Sequence, residues 1–252
     1  FKRASTAPIQ NAKKVMFMST EAQTGKVDFI KSFSDAAAIA NYHEGPPRFM
    51  PGIEAMRSMA SILLAEVAPD DARVLVLGAG GGMEIKTLAT AHPGWTFVGV
   101  DPAPAMLDLA ERTLGPLMNR VELVHGYIDD APAGPFDAAT CLLTLHFLDA
   151  PTRVHTLRAI HQRLKSGAPF AAAHSSFPQD AASRPVWLKR YAAFAIASGA
   201  DPEQANGARE AVGANLALFD PERDEDLMRE SGFADPELFY AAFTWRGWIA
   251  HA

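Results

Sequence analysis

The sequence predicts an α/β fold in which a mostly parallel sheet carries helices on both faces. Three observations predict it. Arg73-Val-Leu-Val-Leu77 is a short β-branched and leucine run, bounded by Asp70, Asp71 and Gly78, and it reads as a strand buried on both faces. A glycine-rich turn and a helical pattern follow it directly. Strand and helix patterns then alternate along the chain and close in two adjoining strands, Leu238 to Tyr240 and Phe243 to Ile249, which read as an antiparallel hairpin.

The composition bounds the classes of function. A chain of 252 residues fits one domain with a small insertion, and 48% hydrophobic with 21% charged residues is ordinary for a soluble globular enzyme. No apolar run approaches the roughly 20 residues needed to span a bilayer, so no membrane partner is expected. A net charge of −6 and a pI near 5.7 argue against a broad nucleic-acid footprint and favour a small-molecule substrate. A homodimer is left open. The single cysteine, Cys141, excludes an internal disulfide framework and fits a reducing, cytoplasmic setting. It lies in an apolar strand run, which favours packing over nucleophilic chemistry. No metal site is predicted.

Residues 1–28 read as an N-terminal extension outside the fold, with Lys2, Arg3, Lys13 and Lys14 unaccompanied by acids up to residue 17, and Met18-Ser-Thr-Glu resembling a natural start. The domain then occupies residues 29–252. Phe29 to Ile39 has helical apolar spacing. The loop after it carries Tyr42, His43 and Arg48, candidates to close over a site, with Tyr42 and Arg48 as substrate contacts; a solvated surface connection is the alternative. Pro51-Gly-Ile-Glu opens a helix with Ile53, Met56, Met59, Ala60, Leu63, Leu64 and Val67 on its apolar face.

The turn after the first strand is the most informative stretch. Gly78, Gly80, Gly81 and Gly82 let main-chain N–H groups approach a ligand, and the helix from Glu84 presents its positive end to them. That is the chemistry of nucleotide binding. A dinucleotide site asks for a small residue where this chain has Met83; the glycines instead read GxGxG at 78, 80 and 82. Trp95 to Val100 gives a second buried strand that ends at Asp101 and leads into a helix. A carboxylate about 20 residues beyond the glycines suits the adjacent hydroxyls of a ribose, with a helix N-cap ahead of Pro102 as the alternative.

Val121 to Asp130 reads as a third strand with its loop, Phe136 to Leu148 as a fourth strand, Pro151 to Lys165 as a helix, and Ala168 to His174 as a fifth strand. His146 falls where the fourth strand ends, as a candidate general base or a structural hydrogen-bonding histidine, and His174 is a weaker candidate. From about 180 to 215 two helical patterns interrupt the alternation, which reads as a lid. Arg184, Arg190 and Arg209 lie there, each a candidate carboxylate fork or a solvated side chain. Asp220 to Phe233 is an acid-started helix stopped by Gly232.

Taken together, the GAGGG turn, the VGVDP segment, TLHFL in the fourth strand, RLKSGAPF and the terminal SGF-x-x-x-x-LFY resemble the class I S-adenosylmethionine-dependent methyltransferases over roughly residues 45 to 250. The resemblance implies a Rossmann-like seven-stranded sheet, mostly parallel with an antiparallel terminal strand, and S-adenosylmethionine as cofactor with S-adenosylhomocysteine as product. It places Gly78, Ala79, Gly80 and Gly82 along the cofactor, Asp101 on the ribose, and Pro102 and Met106 beside the adenosine. Tyr127, Ile128 and Asp129 fall in the adenine loop, and Leu142 and Leu143 flank the cofactor. The methyl group would lie near His146, Tyr42 and the lid. The family carries an acid two places before the first glycine; this chain has Val76, with Glu84 as a candidate to compensate.

Arg48-Phe-Met-Pro-Gly52, Thr144-Leu-His-Phe-Leu148 and the hairpin look like the branch that contains the tRNA-modifying carboxy-S-adenosylmethionine synthase. That branch has a tyrosine, an acid and an asparagine where this chain has Ile53, Tyr127 and Leu142, and its carboxylate-binding arginine would correspond to Arg209. The reading is methyl transfer to a small-molecule acceptor. The alternatives are a synthase-like use of the same cofactor and a non-catalytic cofactor-binding module.

Overall fold

The structure, a computed structural model, describes residues 45–252. The helix expected over 29–39, and Tyr42 and His43, lie outside the described residues. The strands are β1 (Arg73–Leu77), β2 (Thr96–Asp101), β3 (Val121–His125), β4 (Ala138–Leu142), β5 (Pro169–Ser175), β6 (Ala234–Ala242) and β7 (Trp245–His251). The α-helices are α1 (Gly45–Phe49), α2 (Ile53–Ala65), α3 (Met83–Ala91), α4 (Pro104–Leu114), α5 (Ala150–His161), α6 (Ser183–Ala197), α7 (Pro202–Asn215) and α8 (Pro221–Glu230).

One seven-stranded sheet runs in the order β3-β2-β1-β4-β5-β7-β6. β1 pairs in parallel with β2, Leu77 opposite Val100, and with β4, Val76 opposite Thr140. β7 runs antiparallel to both β5 and β6. The predicted fold class is therefore the observed one. Alternation along the strands divides the core in two. Val74, Val76 and Phe97 pack with Leu64 of α2, Ile85 and Leu88 of α3 and Ala110 of α4. Leu75, Leu77 and Val98 pack on the other face with Leu157 and Ile160 of α5 and Leu227 of α8. Leu, Val and Ile on both faces of a strand are what a parallel sheet between helices requires.

The chain steps outward from β1 to β3 and then returns to β4 on the other side of β1. This reversal opens a crevice at the carboxyl ends of β1 and β4, the place where sheets of this type hold ligands. Two elements differ from expectation. The fourth strand stops at Leu142, because Leu143 takes φ 60 and turns the backbone out of the ladder. β6 is longer than its apolar core, spanning Ala234–Ala242 with register shifts against β7. Among the described residues no helix is long and apolar enough to cross a membrane.

Candidate active site

The turn after β1 is built from backbone. The N–H groups of Gly78 and Ala79 both donate to the Val100 carbonyl, at 2.8 and 3.0 Å, so the turn is seated on the end of β2. Gly78 (φ +81) allows close approach by the β4 side: a Cβ there would fall 2.0 Å from Thr144 Oγ1. Gly82 (φ +81) is the N-cap of α3 and lies against the Ala110 backbone. Both positions need a residue without a side chain.

Asp101 joins the loops. Its Oδ2 accepts from Gly80 N–H at 2.8 Å and its Oδ1 accepts from Ala103 N–H at 2.9 Å, while its carbonyl accepts from Gly126 N–H at 3.1 Å. The loops of β1, β2 and β3 thus meet on one residue. Asp101 is 8% exposed, and burial pushes its carboxyl above the ordinary range against the pull of the Ala103 and Gly80 amides. Each carboxylate oxygen has two lone pairs, so these bonds leave one on each for a vicinal diol. The N-cap of α4 is Ala103, not Asp101, which bonds the turn just ahead of it.

The third loop is arranged by a residue that sequence reasoning passed over. Asp130 Oδ2 accepts from Tyr127 N–H at 2.9 Å, closing the turn over Ile128. The signal was local: a carboxylate three residues after Tyr127, packed so tightly under Gly126 that a Cβ there would meet it at 2.3 Å. Ile128 is buried in the core and Tyr127 is 57% exposed. Asp129 is turned to His155 of α5, 3.0 Å away. Met106 is buried with Ala103 and Leu109, and the Pro102 carbonyl lies 3.2 Å from His125 Nε2.

On the β4 side, Leu143 N–H donates to the Ala173 carbonyl at 2.6 Å, and Leu142 is buried with Met50, Ile53 and Met56. His146 is 4% exposed and sits edge-on to Phe147 and Trp245. Its Nδ1 accepts from Ser175 N–H at 3.2 Å. Burial holds its pKa well below the ordinary value, with His174 and Arg153 adding to the effect, so the ring is neutral. A neutral imidazole has one acceptor nitrogen and one donor. With Nδ1 occupied, Nε2 carries the proton and His146 is a donor in this arrangement.

Glu84, on the first turn of α3, is 7% exposed and faces the Thr140 hydroxyl. Thr140 is the register partner of Val76, so this carboxyl reaches the strand pair where an acid at position 76 would stand. Burial raises its pKa to about 7, against the pull of Thr140 and Arg57.

α6 and α7 stand over this end of the sheet. Tyr191 of α6 packs on Phe49 and Trp245, while Arg48 is half-buried on α1. Arg184, Leu188, Lys189, Arg209 and Gly213 line a cavity of about 360 Å³ between the two helices. Arg184 donates to the Gly213 carbonyl at 2.5 Å, and Arg209 pairs with Glu210 at 3.1 Å. Arg190 is elsewhere, over the Trp187 ring. The structure brings the glycine turn, Asp101 and the Tyr127 loop together; it leaves Asp129 on His155 and Arg190 apart from the other lid arginines.

Residues 75–170 match the family model described as a methyltransferase domain. Over 211 residues the chain is 21% identical to the carboxy-S-adenosyl-L-methionine synthase of Campylobacter lari, covering 84% of this chain and 89% of that protein. Among solved structures, an O-methyltransferase family protein from Burkholderia thailandensis superposes with a TM-score of 0.66 at 18% identity, over 92% of this chain and 70% of that one. PigF with SAH gives a TM-score of 0.64 at 15% identity, over 92% and 68%. The chain carries a methyltransferase domain and has the fold of the class I S-adenosylmethionine-dependent methyltransferases.

Proposed function

We propose that this protein transfers the methyl group of S-adenosylmethionine to a small-molecule acceptor. The observation that supports the reading is the meeting of three strand-end loops on Asp101, which closes the glycine turn against a carboxylate with a free lone pair on each oxygen. In this reading Gly78, Ala79, Gly80 and Gly82 line the methionine and ribose end, Asp101 takes the ribose hydroxyls, and Pro102, Met106, Tyr127 and Ile128 border the adenine. Asp129, engaged by His155, contributes at most from the outer rim. When bound, the cofactor supplies a methyl group on a sulfonium, already activated for displacement. What remains for the chain is to hold the acceptor in line and exclude water. In this reading Leu142 and Leu143 give an apolar wall for that purpose, the α6–α7 pair acts as a lid, and Arg48, with Arg209 once it leaves Glu210, would meet an acidic group on the acceptor. His146, as a Nε2–H donor, orients an acceptor oxygen rather than removing its proton.

Calorimetry on the folded protein tests the reading. Binding of S-adenosylmethionine and S-adenosylhomocysteine is expected; binding of a nicotinamide dinucleotide in their place would refute it.

A second reading is supported by the curated relative from Campylobacter lari, which spans most of the chain. A synthase-like enzyme would use the cationic cavity at Arg184 and Arg209 for a carboxylate. Ile53, Tyr127 and Leu142 stand against it. Mass spectrometry of the nucleoside retained on purification separates the two, since a carboxylated cofactor is heavier than S-adenosylmethionine.

A further inference from the structure

The described residues hold a second polar cluster, buried on the β5 side of the crevice, that cofactor binding does not use. At its centre is Arg153, on the first turn of α5. Its Nη1 donates to Asp224 of α8, its Nη2 donates to the carbonyls of Ala217 (2.7 Å) and Leu148 (3.2 Å), and its guanidinium lies 4.5 Å from the centre of the Phe219 ring. His174 of β5 completes the cluster, with Nε2 3.1 Å from Asp224 Oδ2.

These partners come from two segments that have to meet for the proposed site to exist. Leu148 ends the turn that carries Thr144 and His146, and Ala217 and Phe219 belong to the return of the chain from α7. Ala217 is held from both sides: its N–H donates to the His146 carbonyl at 2.9 Å and its own carbonyl accepts from Arg153. The outgoing segment is fastened to the returning one, Phe177 N–H to the Phe219 carbonyl at 3.2 Å and Gln179 N–H to Asp220 Oδ1 at 2.7 Å. The returning stalk is therefore bonded to the guanidinium directly, and the outgoing stalk is tied to it through residues 219 and 220.

A buried ion pair is a weak source of net stability, because desolvation consumes most of the attraction, and apolar side chains would fill the same space. What apolar side chains cannot do is hold two carbonyls from separate segments in a fixed fork. We propose that Arg153, oriented by Asp224, is a positioning residue that pins the α6–α7 pair to the turn carrying His146, so that lid and turn move as one body over the bound cofactor. The inference rests on the reading of that turn as the edge facing the acceptor.

The test uses the full chain with Arg153→Lys, which keeps a charge beside Asp224 but cannot span both carbonyls, and Asp224→Asn, which keeps the shape. Hydrogen exchange is expected to speed up by about tenfold or more at Phe147, Leu148, Ser175, Phe177 and Ala217 in both variants, with Gly78, Ala79 and Gly80 unchanged. The ¹⁵N resonances of the His146 ring are expected to shift as its bond to Ser175 loosens. Wild-type exchange in Arg153→Lys would overturn the fork argument. Uniform acceleration across the sheet, or failure of both variants to fold, would also overturn the proposal, by showing that the pair sustains the whole core. Loss of the methyltransferase reading would show separately, as absence of S-adenosylhomocysteine binding by the wild type, with the exchange pattern still deciding the pin.

Discussion

The Asp101 carboxylate accepts the Gly80 amide at 2.8 Å, tying the carboxyl end of β2 to the glycine turn that leaves β1. This one bond makes the two halves of the nucleotide signal, 21 residues apart in the chain, into a single surface. Under the proposed function, Asp101→Ala removes the ribose acceptor and releases the Gly80 amide together. Affinity for S-adenosylhomocysteine is expected to fall by about 1.5–3 kcal/mol. Calorimetry on a variant with native circular dichroism checks this, and unchanged affinity would refute the role.

The glycine turn makes a graded prediction. Gly78 and Gly167 both have positive φ, +81 and +74, but only Gly78 has a neighbour that an added Cβ would strike. Replacing Gly167 by alanine should cost roughly 1–2 kcal/mol of backbone strain. Replacing Gly78 adds overpacking against Thr144, for roughly 2–5 kcal/mol in all. Urea denaturation of the two variants compares them; equal costs would mean that Thr144 simply moves aside.

Glu84 sets a pH dependence whose sign is opposite to that of an ordinary ion-paired acid. Its pKa rises from 4.5 to about 7 on burial, so between those values the native state binds more protons than the unfolded chain. Stability from this group is therefore lost as pH rises through that window. The full penalty above pH 7 is about 3 kcal/mol, at 1.36 kcal/mol per pH unit. Glu84→Gln is expected to gain stability relative to wild type between pH 5 and about pH 8, read by denaturation at each pH. A difference independent of pH would show that Glu84 is ionised throughout.

His146 and His174 act in the other direction. Burial depresses both below 6.5, so the unfolded chain takes up the extra protons and stability falls as pH drops through about 6.5. For His146 the tautomer is observable as well. Its ¹⁵N spectrum is expected to show Nε2–H without titration from about pH 8 down to about pH 6. An Nδ1–H form would mean that the ring is free to accept a proton at Nε2 and would restore it as a base.

The legible parts of the fold are those whose physics is local. The Val and Leu run of β1, the glycines, and Asp101 at the end of β2 each announce themselves within a few residues, because a doubly buried strand and a tight turn restrict residue type directly. The cluster of Arg153, His174 and Asp224 was hidden for the opposite reason. Arg153 and Asp224 stand 71 positions apart and look like ordinary helix residues, and only their packing gives them a common task. Asp129 and Asp130 show the same limit at short range. Either acid could have closed the Tyr127 loop, and the choice was made by His155 from another helix and by the close packing of Asp130 under Gly126. Leu143, a bulky residue at φ 60, could not be foreseen from preferences that disfavour it there.

The position of β7 has a consequence for biosynthesis. Because it lies between β5 and β6, β5 keeps a bare edge while the ribosome is still making everything between residues 176 and 244. In the finished sheet β6 borders β7 and not β5, so β6 does not cover that edge. The nascent chain thus carries an open strand flanked by apolar residues until 245–251 emerge, and closure is a single late event. Removing residues 245–251 would therefore take away more than seven residues of sheet, because the edge of β5 would stand open as a template for self-association.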